Sequence, residues 1–139
     1  MVDEGRVTRL LRALSEQLDR LTTAAETTVA DRGPWWLDGV KYLFITTIEG
    51  CVDVAHHVAS SEGYGPPASN ADAVRMLGDR GVIQPDLAQA LARAVGFRNV
   101  LVHRYADVDD TVVIGALERL DDLRSFVREV SSWLLAQQT

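Results

Sequence analysis

The stretch WWLDGVKYLFITTIEGCVDVAHHVA, which runs from residue 35 to residue 59, decides the fold of this chain. A helix drawn through it carries apolar side chains on nearly every side, and such a helix is stable only when neighbouring elements cover it. Six charged or histidine side chains interrupt the stretch and would be costly inside a bilayer: Asp38, Lys41, Glu49, Asp53, His56 and His57. The stretch therefore predicts the central helix of a bundle, not a membrane span.

Four further helices are predicted around this central one. An apolar stripe from Val7 to Ala25, in alternating steps of four and three, predicts a first helix that the segment Asp31-Arg32-Gly33-Pro34 ends. No segment alternates with period two over enough residues for a strand, so we expect an all-α, five-helix antiparallel bundle. The last three helices are each marked at their start. Ser69 caps a third helix that ends at Gly78 or Gly81, and Pro85 opens a fourth that reaches about Tyr105. Asp109 or Asp110 caps a fifth helix, whose apolar stripe runs from Val113 to Leu134.

Length and composition limit the class of protein. The chain has 139 residues, 47% of them hydrophobic, which predicts a single domain over residues 1–139. Its one cysteine, Cys51, excludes an internal disulfide and is typical of a reducing compartment. The first ten residues are charged and contain no apolar segment, so we expect no secretion signal, no membrane association and a cytoplasmic location.

The charge distribution is uneven. A net charge of −6 argues against a protein that coats nucleic acid, because such affinity comes from basic side chains on phosphates. Between Asp86 and Asp107, however, there is no acidic residue, whereas four basic or histidine residues fall inside that segment: Arg93, Arg98, His103 and Arg104. The segment could receive an anion, although chance clustering on a solvated helix face explains the charge pattern equally well.

The fourth helix contains the residues from which chemistry is expected. With about 100° of rotation per residue, Arg98 and Tyr105 lie in line on its buried apolar stripe, while Asn99 and His103 share a face about 100–140° further round. A guanidinium cannot lose its charge and is costly to bury alone, so Arg98 either meets a carboxylate or is held for an anion. Gly96 lowers helix stability there, which indicates the close approach of another backbone or a ligand.

The central helix carries a second polar set. Glu49, Asp53 and His56 fall on one stripe, at positions i, i+4 and i+7. With His103, these groups could bind a metal and form a hydrolytic site. The alternative is structural, in which they support the site by pairing with Arg98 or with groups of a partner subunit. The structural alternative is favoured, and no metal is expected.

The segment Arg98-Asn-Val-Leu-Val-His103-Arg-Tyr105 is an R-x4-H-x-Y motif at a helix end, preceded by Gly96-Phe97 and followed by Asp109-Asp110. It resembles the motif of the HEPN superfamily and, within it, of the HepT toxins of the HepT/MntA toxin–antitoxin systems. The resemblance covers nearly the whole chain, since Glu49-x3-Asp53-x2-His56 is similar to the corresponding HepT helix. A bare R-x4-H would be weak, whereas the complete motif in this helix is specific.

The resemblance implies a metal-independent endoribonuclease without a cofactor, acting as a homodimer whose active-site cleft lies at the subunit interface. RNA supplies its own nucleophile, the 2′-OH, so the protein must move protons and stabilise an anionic phosphorane. His103 would exchange protons near neutral pH and Arg98 would bind phosphate oxygens. Asn99 would orient the histidine or donate to phosphate, and Tyr105 would touch the RNA.

The HepT resemblance implies a further role for Tyr105. An MntA-like nucleotidyltransferase antitoxin would add AMP to this tyrosine, and the added phosphate would occupy Arg98 and exclude RNA. An alternative of another class is a non-catalytic module, in which the same cleft binds a nucleotide or only docks the nucleotidyltransferase.

Overall fold

The computed structural model describes residues 2–138, so the first and last residues of the predicted domain, 1 and 139, lie outside the described residues. The described residues form helices and no strand, which confirms the all-α class. The six α-helices are α1 (Glu4–Glu26), α2 (Trp36–Ser61), α3 (Asn70–Asp79), α4 (Pro85–His103), α5 (Asp110–Ala116) and α6 (Asp121–Ala136), with short 3-10 turns at Val29–Asp31, Tyr105–Asp107 and Leu117–Arg119. None of the described helices is long and apolar enough to cross a membrane.

Most helix starts follow the capping signals in the sequence. The hydroxyl of Ser69 accepts a hydrogen bond from the backbone N–H of Asp72 at 3.0 Å, which satisfies one donor of the first turn of α3. Pro85 occupies the first turn of α4, where its missing N–H costs nothing. Asp109 caps α5 by accepting from the N–H of Thr111 at 2.9 Å. These three helix starts are confirmed.

The α2 helix is central, as predicted, because it packs against α1, α3, α4 and α5. Its buried face includes Phe44, Ile48 and Cys51. The expectation that it is covered on nearly every side is wrong, since Tyr42 is 65% exposed and Asp53 is also exposed. The neighbouring helices thus leave one polar and aromatic face of α2 open within the described residues.

The predicted fifth helix is divided, which makes the predicted count of five wrong. A 3-10 turn over Leu117–Arg119 separates α5 from α6. The buried residues here are Leu117, Leu120, Leu123 and Phe126, each three positions after the last. Residues spaced three apart lie on one side of a 3-10 helix, which has 3.0 residues per turn, but they shift progressively round an α-helix of 3.6 residues per turn. Burying all four therefore favours a tightened turn at this point.

Candidate functional site: an arginine and a histidine at the end of α4

Arg98 is fixed by Glu49 of the central helix. Its Nε and Nη2 atoms both donate to Glu49 Oε1, at 3.1 and 2.8 Å, and its Nη1 donates to Asn99 Oδ1 at 3.0 Å. The Arg98 side chain is 22% exposed and that of Glu49 is 43% exposed, so the pair lies at the edge of the core. A guanidinium has five N–H donors, and the described contacts use three of them. One donor on each terminal nitrogen is left to receive an anion.

His103 occupies a different environment. It is the last residue of α4 and is exposed, as is Asn99 one turn before it. Within residues 2–138 the imidazole makes no hydrogen bond, so both ring nitrogens are accessible to a ligand. Five positions separate Arg98 from His103, which turns their side chains about 140° apart on one helix. A single chain therefore presents the two groups on neighbouring faces rather than inside one enclosed pocket.

Tyr105 does not lie on the buried stripe with Arg98, so that part of the sequence interpretation is wrong. The helix ends at His103, and Arg104 leaves the helical region with φ −134° and ψ 37°. Tyr105 then starts a 3-10 turn, is 41% exposed, and its hydroxyl donates to Asp38 Oδ1 at 2.6 Å. The rotation of 100° per residue that placed it beside Arg98 applies only while the helix continues.

Two contacts join α2 to α4 and to the turn that follows α4. They lie far apart along α2. Glu49, which holds Arg98, lies eleven positions after Asp38, which holds Tyr105. At 1.5 Å per residue, this separation is about 16 Å along the axis of α2. Since the later residue of one segment meets the earlier residue of the other, α2 and α4 run antiparallel. A phosphate attached to the Tyr105 hydroxyl would start far from Arg98, and the expectation that it occupies Arg98 is not supported.

Two residues beside Tyr105 were missed as site residues by the sequence reasoning. Lys41 is buried, with its Nζ 3.2 Å from Asp110 Oδ1 and 4.6 Å from the centre of the Tyr105 ring. Asp38 accepts the hydrogen bond from the Tyr105 hydroxyl. No local spacing links these residues to Tyr105, which lies 67 positions after Asp38. The one available signal was the cost of burying a lysine in an apolar stretch, the same argument that singled out Arg98.

The hydrogen bond from Tyr105 to Asp38 raises the pKa of the Tyr105 phenol to about 12, helped by partial burial and by the negative charges of Asp38 and Asp110. A carboxylate that accepts the phenolic proton stabilises the neutral form of the tyrosine. The hydroxyl of Tyr105 is thus present as a neutral donor throughout the physiological pH range.

Of the polar stripe on α2 (Glu49, Asp53 and His56), only Glu49 bonds to Arg98 in the described part of the chain. Asp53 is exposed and forms no hydrogen bond or ion pair with Arg98 among the described residues. His56 instead shares a hydrogen bond with the Asn70 side chain at 3.0 Å, at the start of α3. Among residues 2–138, no group of three His, Cys, Asp or Glu side chains is arranged to hold a metal ion. The metal-hydrolase alternative therefore finds no ligand cluster in the described part of the chain.

A cavity of about 360 Å³ lies between α2, α4 and the segment that joins α5 to α6. Phe44, Phe97 and Leu123 line its apolar floor, and Arg93 and Arg119 stand at its rim. None of Arg98, His103 and Tyr105 contributes to it. The motif residues thus occupy an open surface at the end of α4, apart from this cavity.

Comparison with known proteins identifies the family. A model of the ribonuclease HepT-like family matches residues 10–130, and the chain belongs to that family. A predicted RNase of Archaeoglobus fulgidus is 32% identical over 126 residues, covering 90% of this chain and 87% of that protein. The mRNA nuclease HepT of Shewanella oneidensis is 30% identical over 80 residues, which is 57% of this chain and 60% of that protein. The resemblance stated from the motif is confirmed.

A solved structure shows the same fold. The tri-AMPylated HEPN toxin of Shewanella oneidensis, in complex with an MNT antitoxin, superposes with a TM-score of 0.82. The match has 22% sequence identity and covers 95% of this chain and 99% of that chain. At that identity, the likeness establishes a HEPN-type helical arrangement.

Replacing Glu49 with alanine should lower the free energy of unfolding by about 1–2 kcal/mol, because Arg98 would lose the carboxylate that compensates its charge. The loss is smaller than the roughly 3–5 kcal/mol of a fully buried pair, since both side chains are partly solvated. Urea titration of Glu49→Ala, Arg98→Met and the double variant measures the coupling. Asp53→Ala, on the same stripe, should change stability by no more than about 0.5 kcal/mol. Equal effects of the two α2 substitutions would contradict the assigned pairing.

Replacing Asp38 with asparagine should bring the pKa of Tyr105 from about 12 towards the ordinary value of 10.0, because the acceptor carboxylate is lost. NMR titration of ¹³Cζ-labelled tyrosine measures this, with Tyr105→Phe used to assign the signal. A raised phenol pKa means that the contact stabilises the fold below pH 10 and ceases to do so as the pH rises through about 12. A Tyr105 pKa near 10.0 in the wild-type chain, left unaltered by Asp38→Asn, would show that the hydrogen bond is absent in solution.

Proposed function

We propose that this chain is a metal-independent endoribonuclease toxin of the HepT type, active in the cytoplasm as a homodimer and neutralised by a nucleotidyltransferase antitoxin that transfers AMP to Tyr105. Family membership and the nuclease relatives support the enzyme class. The toxin–antitoxin complex of the Shewanella fold neighbour supports the kind of partner. The observation that carries the proposal is the oriented, partly solvated guanidinium of Arg98 on the same helix end as the exposed imidazole of His103.

The chemistry divides between proton transfer and charge stabilisation. His103 takes the proton of the RNA 2′-OH as this oxygen attacks the adjacent phosphorus. The bond from phosphorus to the 5′-oxygen breaks, and that oxygen receives a proton, which leaves a 2′,3′-cyclic phosphate and a 5′-hydroxyl. Arg98 donates its two remaining N–H groups to the non-bridging oxygens, whose charge grows in the phosphorane. Asn99 lies between them, with its side-chain oxygen held by Arg98.

The need for two proton transfers supports a site made by two copies of the chain. Each chain brings one His103, and a second imidazole across a twofold axis supplies the acid when the first acts as base. The surface beside the motif suits such a contact. Gly96 faces open space, Val100 is 44% exposed and Val102 is 41% exposed. A single chain also turns Arg98 and His103 onto different faces, which supports a cleft that a second copy closes.

AMP on Tyr105 would block this cleft from the end of α4. The modified hydroxyl lies two positions beyond His103, and each adenylyl group adds bulk and negative charge there. Both effects exclude a polyanionic RNA strand without requiring the phosphate to reach Arg98. The side chain is 41% exposed, which makes its hydroxyl accessible to a partner enzyme.

Expression of the chain alone should arrest growth and degrade RNA, and the purified protein should cleave a fluorescent single-stranded RNA in EDTA. Removing His103 should lower the cleavage rate by about 10²–10⁴-fold, and removing Arg98 should lower it by about 10²–10³-fold, because proton transfer and charge stabilisation are lost separately. His103→Ala and Arg98→Ala are compared with Arg93→Ala, an exposed arginine of the same helix, which should cleave at the wild-type rate.

A 2′-deoxy substitution at the cleaved position should abolish the reaction of the wild-type protein. Cleavage that persists on the deoxy substrate, or that stops in EDTA, would contradict the proposed mechanism. A chain that causes no RNA loss in either setting would instead be the non-catalytic binding module.

A further inference from the structure

We propose that Asp38, Lys41 and Tyr105 form an acceptor site for adenylyl transfer, in which Asp38 removes the phenolic proton and Lys41 compensates the charge of the incoming phosphate. The inference rests on the proposed modification of Tyr105 and deepens it. It places part of the catalysis of that modification on the acceptor chain.

The position of Asp38 suits a proton acceptor. Its Oδ1 atom lies 2.6 Å from the Tyr105 hydroxyl, which is a short hydrogen bond to the atom that must react. Asp38 lies in the first turn of α2 and is exposed, as is Tyr105, so a partner enzyme can approach without separating them. The carboxylate also sets the direction of the O–H bond, which leaves the opposite side of the oxygen open to an electrophile.

Lys41 lies one turn after Asp38 on the same helix. Its ammonium group lies 4.6 Å from the centre of the Tyr105 ring and is 3.2 Å from Asp110 Oδ1, with its side chain 8% exposed. Asp110 itself is 58% exposed, so its carboxylate can turn into solvent when a phosphate takes its place as the partner of Lys41. A lysine is a point charge on a flexible stem, and it can turn from the ring face to a phosphate attached at the ring's hydroxyl.

The adenylyl group in this reaction comes from a nucleoside triphosphate, ATP. The phenolic oxygen of Tyr105 attacks the α-phosphorus of ATP, and its proton passes to the Asp38 carboxylate. The bond from the α-phosphorus to the bridging oxygen of the β-phosphate breaks, and pyrophosphate leaves. The product is a phosphodiester on Tyr105 with one negative charge, adjacent to the ammonium of Lys41.

The ionisation of Tyr105 explains why a base is needed. The pKa of the phenol is raised to about 12, chiefly by the hydrogen bond to Asp38, so a free tyrosinate is scarce at neutral pH. The charged groups that face it are Asp38 and Lys41 from α2 and Asp110 from α5. Asp38 therefore lowers the supply of tyrosinate but accepts the proton during the transfer itself, which is the action of a general base.

The test measures AMP transfer to the full-length chain by the nucleotidyltransferase antitoxin proposed as its partner, with Mg²⁺ and ATP, followed by intact-mass spectrometry. Asp38→Asn keeps the size and can still accept the hydroxyl hydrogen bond, but it cannot take the proton. It should slow the first transfer by roughly 100-fold. The ratio of the wild-type rate to the Asp38→Asn rate should shrink as pH rises, because the phenol then ionises without help. Asp107→Asn, which removes a charge from the same turn, should react at the wild-type rate.

A second pair of variants tests the ammonium. Lys41→Met should slow the transfer by about tenfold, and Lys41→Arg should restore most of the rate. This loss is below the roughly 10²–10³-fold of an enclosed oxyanion site, because solvent reaches the Tyr105 hydroxyl.

The outcomes separate the two proposals. If the wild-type chain gains no AMP, or gains it in Tyr105→Phe, the proposed modification of Tyr105 is wrong. If the wild-type chain is modified at Tyr105 while Asp38→Asn reacts at the same rate at every pH, only the acceptor-site proposal is wrong. If Asp38→Asn slows the transfer by the same factor at every pH, Asp38 has a structural role, and the acceptor-site proposal is again wrong.

Discussion

The ion pair between Arg98 and Glu49 is the constraint on which the rest of the site depends. Two donors of one guanidinium meet a single carboxylate oxygen, at 3.1 and 2.8 Å, and this joins α4 to the central helix. The pair compensates a charge that α4 carries on its inner side, and it fixes the plane of the guanidinium. The two N–H groups that remain are therefore oriented in advance, and in the proposed mechanism little reorganisation would oppose the phosphorane.

A second contact between the same two parts of the chain lies near the start of α2. Tyr105 meets Asp38 about 16 Å along α2 from Glu49, with Lys41 against its ring. The proposed phosphate recognition at Arg98 and the proposed modification at Tyr105 are thereby separated in space, while His103 lies between them in sequence. Under the proposal, this separation would let the partner enzyme reach the tyrosine without entering the place of the scissile phosphate, and the attached AMP would still obstruct the histidine.

The sequence predicted the features that depend on local chemistry. Capping at Ser69, Pro85 and Asp109 predicted three helix starts, and the R-x4-H-x-Y motif indicated the HepT-like family. Long-range features were not predictable in the same way. The predicted position of Tyr105 was wrong because the rotation of 100° per residue assumed that the helix continues, whereas it ends before Arg104. The contacts of Asp38 and Lys41 with Tyr105 join residues that are distant in sequence, and no local pattern indicates them. The break at Leu117 was missed because a stripe in steps of three also fits an α-helix over short lengths.

The central claim is that two copies of the chain make one active site, with a His103 from each. The most direct measurement is the RNA cleavage rate of a purified mixed dimer, in which one subunit is wild type and the other is His103→Ala. A shared site that uses both imidazoles predicts a rate at least roughly 100-fold below that of the wild-type dimer. A mixed dimer that keeps about half of the wild-type rate would show that each chain cleaves RNA independently, and would contradict the account.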